Sequence, residues 1–208
     1  MDKTIYLGAA YYPELWDESE VEKDIARCKE LGVNCLRVGE FAWGKMEPKE
    51  GKYDFAWLLR VVEKLHENGI ATVMCTPTCT PPRWMLNKYP EMRRVMPDLI
   101  KSDVSSRCHV CKSSPVAREK NKQIVTQMAK VFAGHKGIIG WQIDNEIFPY
   151  GDGCFCENCK KGFRAYLKEK FGTTEKLNKA WGMARGAPEY DAFEEVDPPY
   201  PAQWRHPS

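Results

Sequence analysis

Three polar side chains stand directly after an apolar run in the second half of the chain. Asp144, Asn145 and Glu146 follow residues 138–143, which read IIGWQI. A run of this kind is typical of a buried parallel strand, and barrel enzymes carry their chemistry where such strands end. A carboxylic acid beside an amide that can hold a hydroxyl suits protonation of a glycosidic oxygen. The alternative, preferred for an isolated Asn-Glu pair, is that Asn145 and Glu146 merely begin a solvated loop.

A second group of reactive side chains consists of thiols. Cys154, Cys156 and Cys159 form a C-x-C-x-x-C pattern just before a helical segment. Thiolates at this spacing suit a tetrahedral ion such as zinc, and a closed structural site requires a fourth ligand. Residues 108–111, which read CHVC, offer Cys108, His109 and Cys111 for that place. The cysteines at 28, 35, 75 and 79 fall in helix, strand or strand-end patterns and are expected to be small buried apolar residues.

Alternating strand and helix patterns position these groups. Strands are predicted at about 4–12, 33–38, 70–75 and 138–143, each followed by a helix. The helices are predicted at about 18–31, 55–69, 115–134 and 158–171, with a shorter one at 174–181. Four such units in a row favour a parallel sheet with right-handed crossovers.

Long segments follow the second and third strands, which is typical of a (β/α)8 TIM barrel, where function lies in the loops after strands. Eight units need about 250 residues, so this chain supplies about the first four. Residues 1–182 are therefore interpreted as the N-terminal portion of the (β/α)8 catalytic domain. Residues 183–208 are interpreted as an irregular Pro-rich tail that leads into the missing half.

Composition excludes several classes of partner. The 31 Lys and Arg residues are balanced by 29 Asp and Glu, which gives no basic surface for nucleic acid. No segment has the apolar length of a membrane span, and no strand is followed by a nucleotide-binding glycine motif. The nine cysteines occur without a secretory pattern, which favours reduced thiols and a cytoplasmic location.

Six segments, in order, resemble the N-terminal part of glycoside hydrolase family 42 β-galactosidases. They are GAAYYPELW (8–16), LRVGEFAWGKMEP (36–48), the TPT-x-T-PPRW loop (76–84), SSRCHVCKSSP (105–115), GWQIDNE (140–146) and CFCENC (154–159). The resemblance implies a (β/α)8 barrel that retains anomeric configuration with two glutamates. It also implies one structural zinc on four cysteines and no organic cofactor.

The resemblance assigns roles residue by residue. Glu146 matches the acid/base, and partial burial beside another carboxylate is expected to raise its pKa. Asn145 matches the ligand of the sugar 2-hydroxyl, and Arg107 matches an arginine that binds the sugar. Cys108 stands where many relatives have a second arginine. Asp144 is a rival acid by side-chain type, but only Glu146 coincides with the motif.

The resemblance likewise selects the zinc ligands. Cys111 matches the fourth ligand, beside Cys154, Cys156 and Cys159, and is preferred to Cys108 and His109. The zinc would tie the loop after the third strand to the loop after the fourth.

Other residues at the strand ends keep two interpretations. Arg37 and Glu40 are either a buried ion pair that holds loops in place or contacts to substrate. Trp43 and Trp84 lie in loops after strands and could stack on a sugar face, although core packing is the usual role of tryptophan.

The predicted function is retaining hydrolysis of terminal β-D-galactosyl groups by double displacement, with a β-galactoside as substrate. The nucleophile of the family is a glutamate from a later strand, so the isolated chain is expected to be inactive. Glu189, Glu194 and Glu195 follow no apolar strand and are not candidates. The full-length enzyme that contains this chain is expected to be a homotrimer. One alternative is another barrel glycosidase that acts on glucosides or mannosides; a second is a zinc-organised truncated barrel that only binds sugar.

Overall fold

The computed structural model describes residues 5–102, 109–147, 153–182 and 189–199 of the chain. Its strands are β1 (Gly8–Ala10), β2 (Cys35–Val38), β3 (Ala71–Cys75) and β4 (Ile138–Gln142). They form one sheet in the order β1-β2-β3-β4, and every neighbouring pair is parallel. The predicted strands are therefore present, adjacent and in sequential order.

Seven α-helices accompany the strands in the described residues. They are α1 (Glu20–Glu30), α2 (Trp43–Met46), α3 (Ala56–Glu67), α4 (Arg83–Lys88), α5 (Pro115–Phe132), α6 (Glu157–Phe171) and α7 (Thr174–Trp181). The five predicted helices agree with these to within a few residues. The two short helices, α2 and α4, were not predicted because four to six residues are too few to show a helical period.

The side chains of the sheet separate by alternation. Leu36 pairs with Thr72 and Val38 with Met74, and all four side chains are buried. Helix α3 packs against β3 and buries Leu58, Val61, Val62 and Leu65. Arg37, Val73, Cys75 and Gln142 occupy the alternate positions, so they share the opposite face. Arg37 and Gln142, two polar residues of the candidate site, therefore lie on the same face of the sheet.

Two helix starts carry a hydrogen bond from a backbone amide to a nearby side chain. The Ser114 hydroxyl accepts a hydrogen bond from the Ala117 amide at 3.4 Å, and Pro115 occupies the first helical position of α5. The Asp54 carboxylate accepts from the Ala56 amide at 3.1 Å at the start of α3.

The chain divides into two compact units. The first comprises residues 1–90, 104–108 and 118–148 and contains the sheet. The second comprises residues 91–103, 109–117 and 149–208 and contains α6 and α7. In the second unit Leu167, Leu177, Phe193 and Val196 form a buried cluster. Part of the segment 189–199 therefore packs against α6 and α7, with a 3-10 helix at Phe193–Glu195.

The two outer strands leave apolar side chains in solvent. Ile5, Tyr6 and Leu7 directly precede β1, and all are exposed. Ile139, Ile143 and Ile147 lie in or just after β4 and are also exposed. In the described helices, none combines the length and apolar character that crossing a membrane requires.

Candidate functional site

A buried carboxylate lies at the end of β2. Glu40 is 2% exposed and pairs with the Arg37 guanidinium, with 3.0 Å between Oε2 and Nη2. The Tyr12 hydroxyl also donates to Oε2, at 2.9 Å. Gly39 turns the backbone between the two charged residues with φ 87°, a value that favours glycine. Of the two interpretations of Arg37 and Glu40, this geometry favours the ion pair that holds loops in place.

Gln142, the last residue of β4, joins this pair to the next loop. Its Oε1 accepts from Arg37 Nη1 at 2.5 Å, and its Nε2 donates to Glu40 Oε1 at 3.1 Å. The same Nε2 lies 3.0 Å from the Asp144 carbonyl and 3.5 Å from Asn145 Oδ1. This role of Gln142 is not predictable from local sequence, because its partners are 102 to 105 residues away and leave no local pattern.

The loop after β4 begins with a constrained turn. The Asp144 amide donates to the Thr76 hydroxyl at 2.7 Å, and Asp144 Oδ1 accepts from the Asn145 amide at 2.9 Å. Asp144 and Glu146 both have positive φ, 58° and 45°, which is uncommon for residues with side chains. The Asp144 carboxylate therefore stabilises the turn, which weakens its standing as the rival acid.

The turn places Asn145 and Glu146 differently. Asn145 is buried, and its Nδ2 has no hydrogen-bond partner among the described residues. Glu146 is exposed among the described residues, which differs from the partial burial expected for it. A buried N–H donor beside an accessible carboxyl group can hold one hydroxyl while the carboxyl group exchanges a proton with a neighbouring oxygen.

The other residues singled out in the sequence are either outside the described residues or buried to different degrees. Arg107 and Cys108 lie outside the described residues. Trp43 is fully buried and its indole donates to Glu47 at 2.8 Å, so it packs in the core. Trp84 is half-buried, with its indole N–H on the Glu47 carbonyl. Cys35, Cys75 and Cys79 are buried as expected, and Cys28 is half-buried.

The second unit brings four thiols together. The Sγ atoms of Cys111, Cys154, Cys156 and Cys159 all lie within 4.8 Å of one another. Cys111 Sγ is 3.4 Å from both Cys156 Sγ and Cys159 Sγ. His109 is buried nearby in the chain but does not belong to this thiol cluster. The predicted fourth thiol, Cys111, therefore joins the other three.

Backbone pairing holds the thiol cluster. The Cys111 amide donates to the Met92 carbonyl at 2.8 Å, and the Phe155 amide donates to the Val95 carbonyl at 2.9 Å. Both thiol-bearing segments are thus fastened to residues 92–95. Helix α6 starts directly after Cys156, and a helix N-terminus favours negative charge on nearby sulfur.

The thiol cluster has the donors that a structural zinc ion requires. Zn–S bonds of about 2.3 Å in a tetrahedron place sulfurs about 3.8 Å apart, close to the separations seen here. The hydrogen bond from Cys111 lowers the pKa of the Cys154 thiol to about 5, and the same contact raises the pKa of Cys111. The residues present therefore fit a soft divalent ion in number, type and spacing.

The sequence and the fold of this chain are similar to those of known proteins. The sequence model for glycoside hydrolase family 42, a family described as beta-galactosidase, matches residues 10–208 of the chain. The beta-galactosidase YesZ of Bacillus subtilis is 42% identical over 204 residues, which cover 98% of this chain and 31% of that protein.

Solved structures agree. A beta-galactosidase from the haloarchaeon Halorubrum lacusprofundi superposes with a TM-score of 0.88 at 37% identity, over 95% of this chain and 30% of that one. The beta-galactosidase of Bacillus circulans sp. alkalophilus gives 0.88 at 34% identity, over 95% and 29%. The chain thus spans between 29% and 31% of the length of these relatives.

These similarities account for the sheet. Its four parallel strands and their helices are the first four β/α units of the TIM-barrel fold that these structures share. The family match over residues 10–208 also includes five of the six segments singled out in the sequence in full, and all but the first two residues of the sixth, GAAYYPELW (8–16). The chain belongs to glycoside hydrolase family 42.

Proposed function

We propose that this chain carries the acid/base half of a retaining β-galactosidase that cleaves terminal β-D-galactosyl groups. The observation that carries the proposal is the pair Asn145–Glu146 at the end of β4. There, a buried amide donor without a partner among the described residues lies next to an exposed carboxyl group. The beta-galactosidase names of the relatives support the choice of sugar.

The proposed mechanism uses Glu146 twice. Glu146 first donates a proton to the glycosidic oxygen as the leaving group departs. It then removes a proton from the water that hydrolyses the glycosyl-enzyme. Asn145 Nδ2 donates a hydrogen bond to the sugar 2-hydroxyl, a contact that strengthens in the transition state. Arg107 is proposed as a further sugar ligand on the basis of the family motif.

The nucleophile is proposed to lie outside this chain. Glu40 is buried and accepts hydrogen bonds from Tyr12, Arg37 and Gln142, so its carboxylate is already committed. Relatives that are about three times as long leave room for a second glutamate. We call the longer enzyme that carries this chain, under this proposal, the parent enzyme.

The thiol cluster is proposed to hold one zinc ion through Cys111, Cys154, Cys156 and Cys159. Four sulfur ligands close the coordination sphere, so the ion would supply a structural crosslink and no chemistry. The trimeric assembly of the parent enzyme and the cytoplasmic location stay predictions.

Hydrolysis of an aryl β-galactoside tests the proposal. The parent enzyme should turn it over, and the 208-residue chain alone should show negligible turnover, because retention requires two carboxyl groups about 5–5.5 Å apart. Turnover by the chain alone would overturn the acid/base-half assignment. Failure of the parent enzyme on galactosides, with activity on glucosides or mannosides, would overturn the choice of sugar.

A further inference from the structure

We infer that Gln142 is a positioning residue that fixes the orientation of the Asn145 carboxamide, so that Asn145 presents N–H donors to the substrate. The inference rests on the proposed function, since it concerns the group that would contact the sugar 2-hydroxyl. Neither Gln142 nor its partners Arg37 and Glu40 has a reaction step in the proposed mechanism. Their contacts nevertheless determine which atom of the Asn145 carboxamide faces the substrate.

The orientation of Gln142 itself is set by two charged neighbours. Arg37 can only donate, and its Nη1 lies 2.5 Å from Gln142 Oε1. The Glu40 carboxylate can only accept, and its Oε1 lies 3.1 Å from Gln142 Nε2. Rotating the amide by 180° would place N–H groups against the guanidinium and oxygen against the carboxylate. One of the two amide orientations is therefore strongly preferred.

The fixed orientation of the Gln142 amide also determines which group it presents to the loop after β4. Its Nε2 carries two hydrogens and faces three acceptors: Glu40 Oε1 at 3.1 Å, the Asp144 carbonyl at 3.0 Å and Asn145 Oδ1 at 3.5 Å. The two shorter contacts hold the turn in place, and one of the two hydrogens is shared with the third acceptor. The longer contact still places a positive N–H group opposite Asn145, which favours oxygen on that side.

The amide nitrogen of Asn145 must then point the other way. Asn145 is 8% exposed, and its Nδ2 has no hydrogen-bond partner in the described residues. A buried donor in this state calls for an acceptor from a ligand. Because Arg37 and Glu40 fix Gln142, and Gln142 fixes Asn145, the ligand atom opposite Asn145 must accept, as a hydroxyl oxygen does.

Selectivity for the 2-hydroxyl tests the inference in the parent enzyme. We compare kcat/KM for an aryl β-galactoside and for its 2-deoxy counterpart, and define selectivity as their ratio. Gln142→Met keeps the side-chain length but removes the donor and the acceptor. Asn145→Ala should lower selectivity by about tenfold, the value of one well-placed hydrogen bond, and Gln142→Met by a similar factor. In the Asn145→Ala background, Gln142→Met should lower selectivity no further, because it acts through Asn145.

Asn178→Leu is the matched control. Asn178 is also a buried carboxamide, and both ends of its side chain bond to the Tyr190 backbone in the second unit. This variant should lower thermal stability without changing selectivity. If Gln142→Met does not fold, Gln142→Glu replaces it, since a carboxylate there also lacks the donor.

The outcomes separate the two claims. Wild-type selectivity that falls with Asn145→Ala but not with Gln142→Met would overturn the positioning role and leave the proposed function intact. Equal rates on both substrates in the wild type would instead remove the proposed contact of Asn145 with the 2-hydroxyl. Additive losses in the double variant would also contradict positioning through Asn145.

Discussion

Glu40 is the residue on which the strand-end network depends. Its carboxylate accepts hydrogen bonds from Tyr12 in the segment after β1, from Arg37 in β2 and from Gln142 in β4. A carboxylate satisfies all three because it offers only acceptors. The exposure of the Arg37 side chain, 34%, leaves that partner partly solvated, whereas the Glu40 side chain is 2% exposed.

Replacing Glu40 by Gln should therefore destabilise the chain. The amide would turn an N–H group toward one of the donors and leave Arg37 without a countercharge. We expect the free energy of unfolding to fall by about 1–3 kcal/mol, measured by urea denaturation. Glu20→Gln is the control, because Glu20 forms an exposed pair with Lys23 and should change stability by about 0.5 kcal/mol or less. Equal losses in the two variants would show that burial of Glu40 contributes nothing.

At the scale of the elements, the sequence predicted what local pattern encodes. The four strands and five of the helices follow from the period of their apolar residues. Asn145 and Glu146 were found because they follow an apolar strand. Gln142 lies in the same motif, yet its contacts to Arg37 and Glu40 span more than 100 residues. Such contacts depend on strand register, which a single sequence does not display.

The thiol cluster was predicted in part by spacing and in part by resemblance. The C-x-C-x-x-C pattern predicts Cys154, Cys156 and Cys159 as metal ligands. Cys111 lies more than 40 residues earlier, and its partnership depends on the pairing of residues 92–95 with both thiol segments. Spacing alone left Cys108 and His109 open, and the structure places Cys111 with the other three thiols.

The thiol cluster gives a prediction about metal content. Purified protein should contain about one zinc per chain, with sulfur-only coordination near 2.3 Å by X-ray absorption. Cys111→Ser should lower the zinc content, and a strong chelator should lower the melting temperature of the wild type. Cys79→Ser is the matched control, because Cys79 is equally buried but lies outside the thiol cluster. Full zinc retention in Cys111→Ser would contradict the assignment.

At the scale of the whole molecule, apolar side chains are exposed beside the two outer strands of the sheet. Ile5 is 86% exposed beside β1, and Ile143 and Ile147 are 65% and 73% exposed beside β4. Unpaired strand edges with exposed apolar side chains are sites of association. These residues lie where a closed barrel would continue pairing on both sides.

The isolated chain should therefore associate as its concentration rises, as measured by light scattering after size exclusion. Ile5→Lys combined with Ile147→Lys should reduce association, because charged side chains protect strand edges. Val131→Lys is the control, since Val131 is 40% exposed on a helix, α5, and not on a strand. A stable monomer at every concentration would contradict this account of the edges.

Glu146 is the centre of the functional account, and one kinetic series tests it directly. In the parent enzyme, Glu146→Gln should depress hydrolysis of galactosides with poor leaving groups far more than that of aryl galactosides with good ones. A good leaving group needs little protonation as it departs, whereas a poor one depends on the acid. Azide should restore turnover of the activated substrate, because it attacks the glycosyl-enzyme without a general base. An unchanged rate on every substrate would show that Glu146 is not the acid/base.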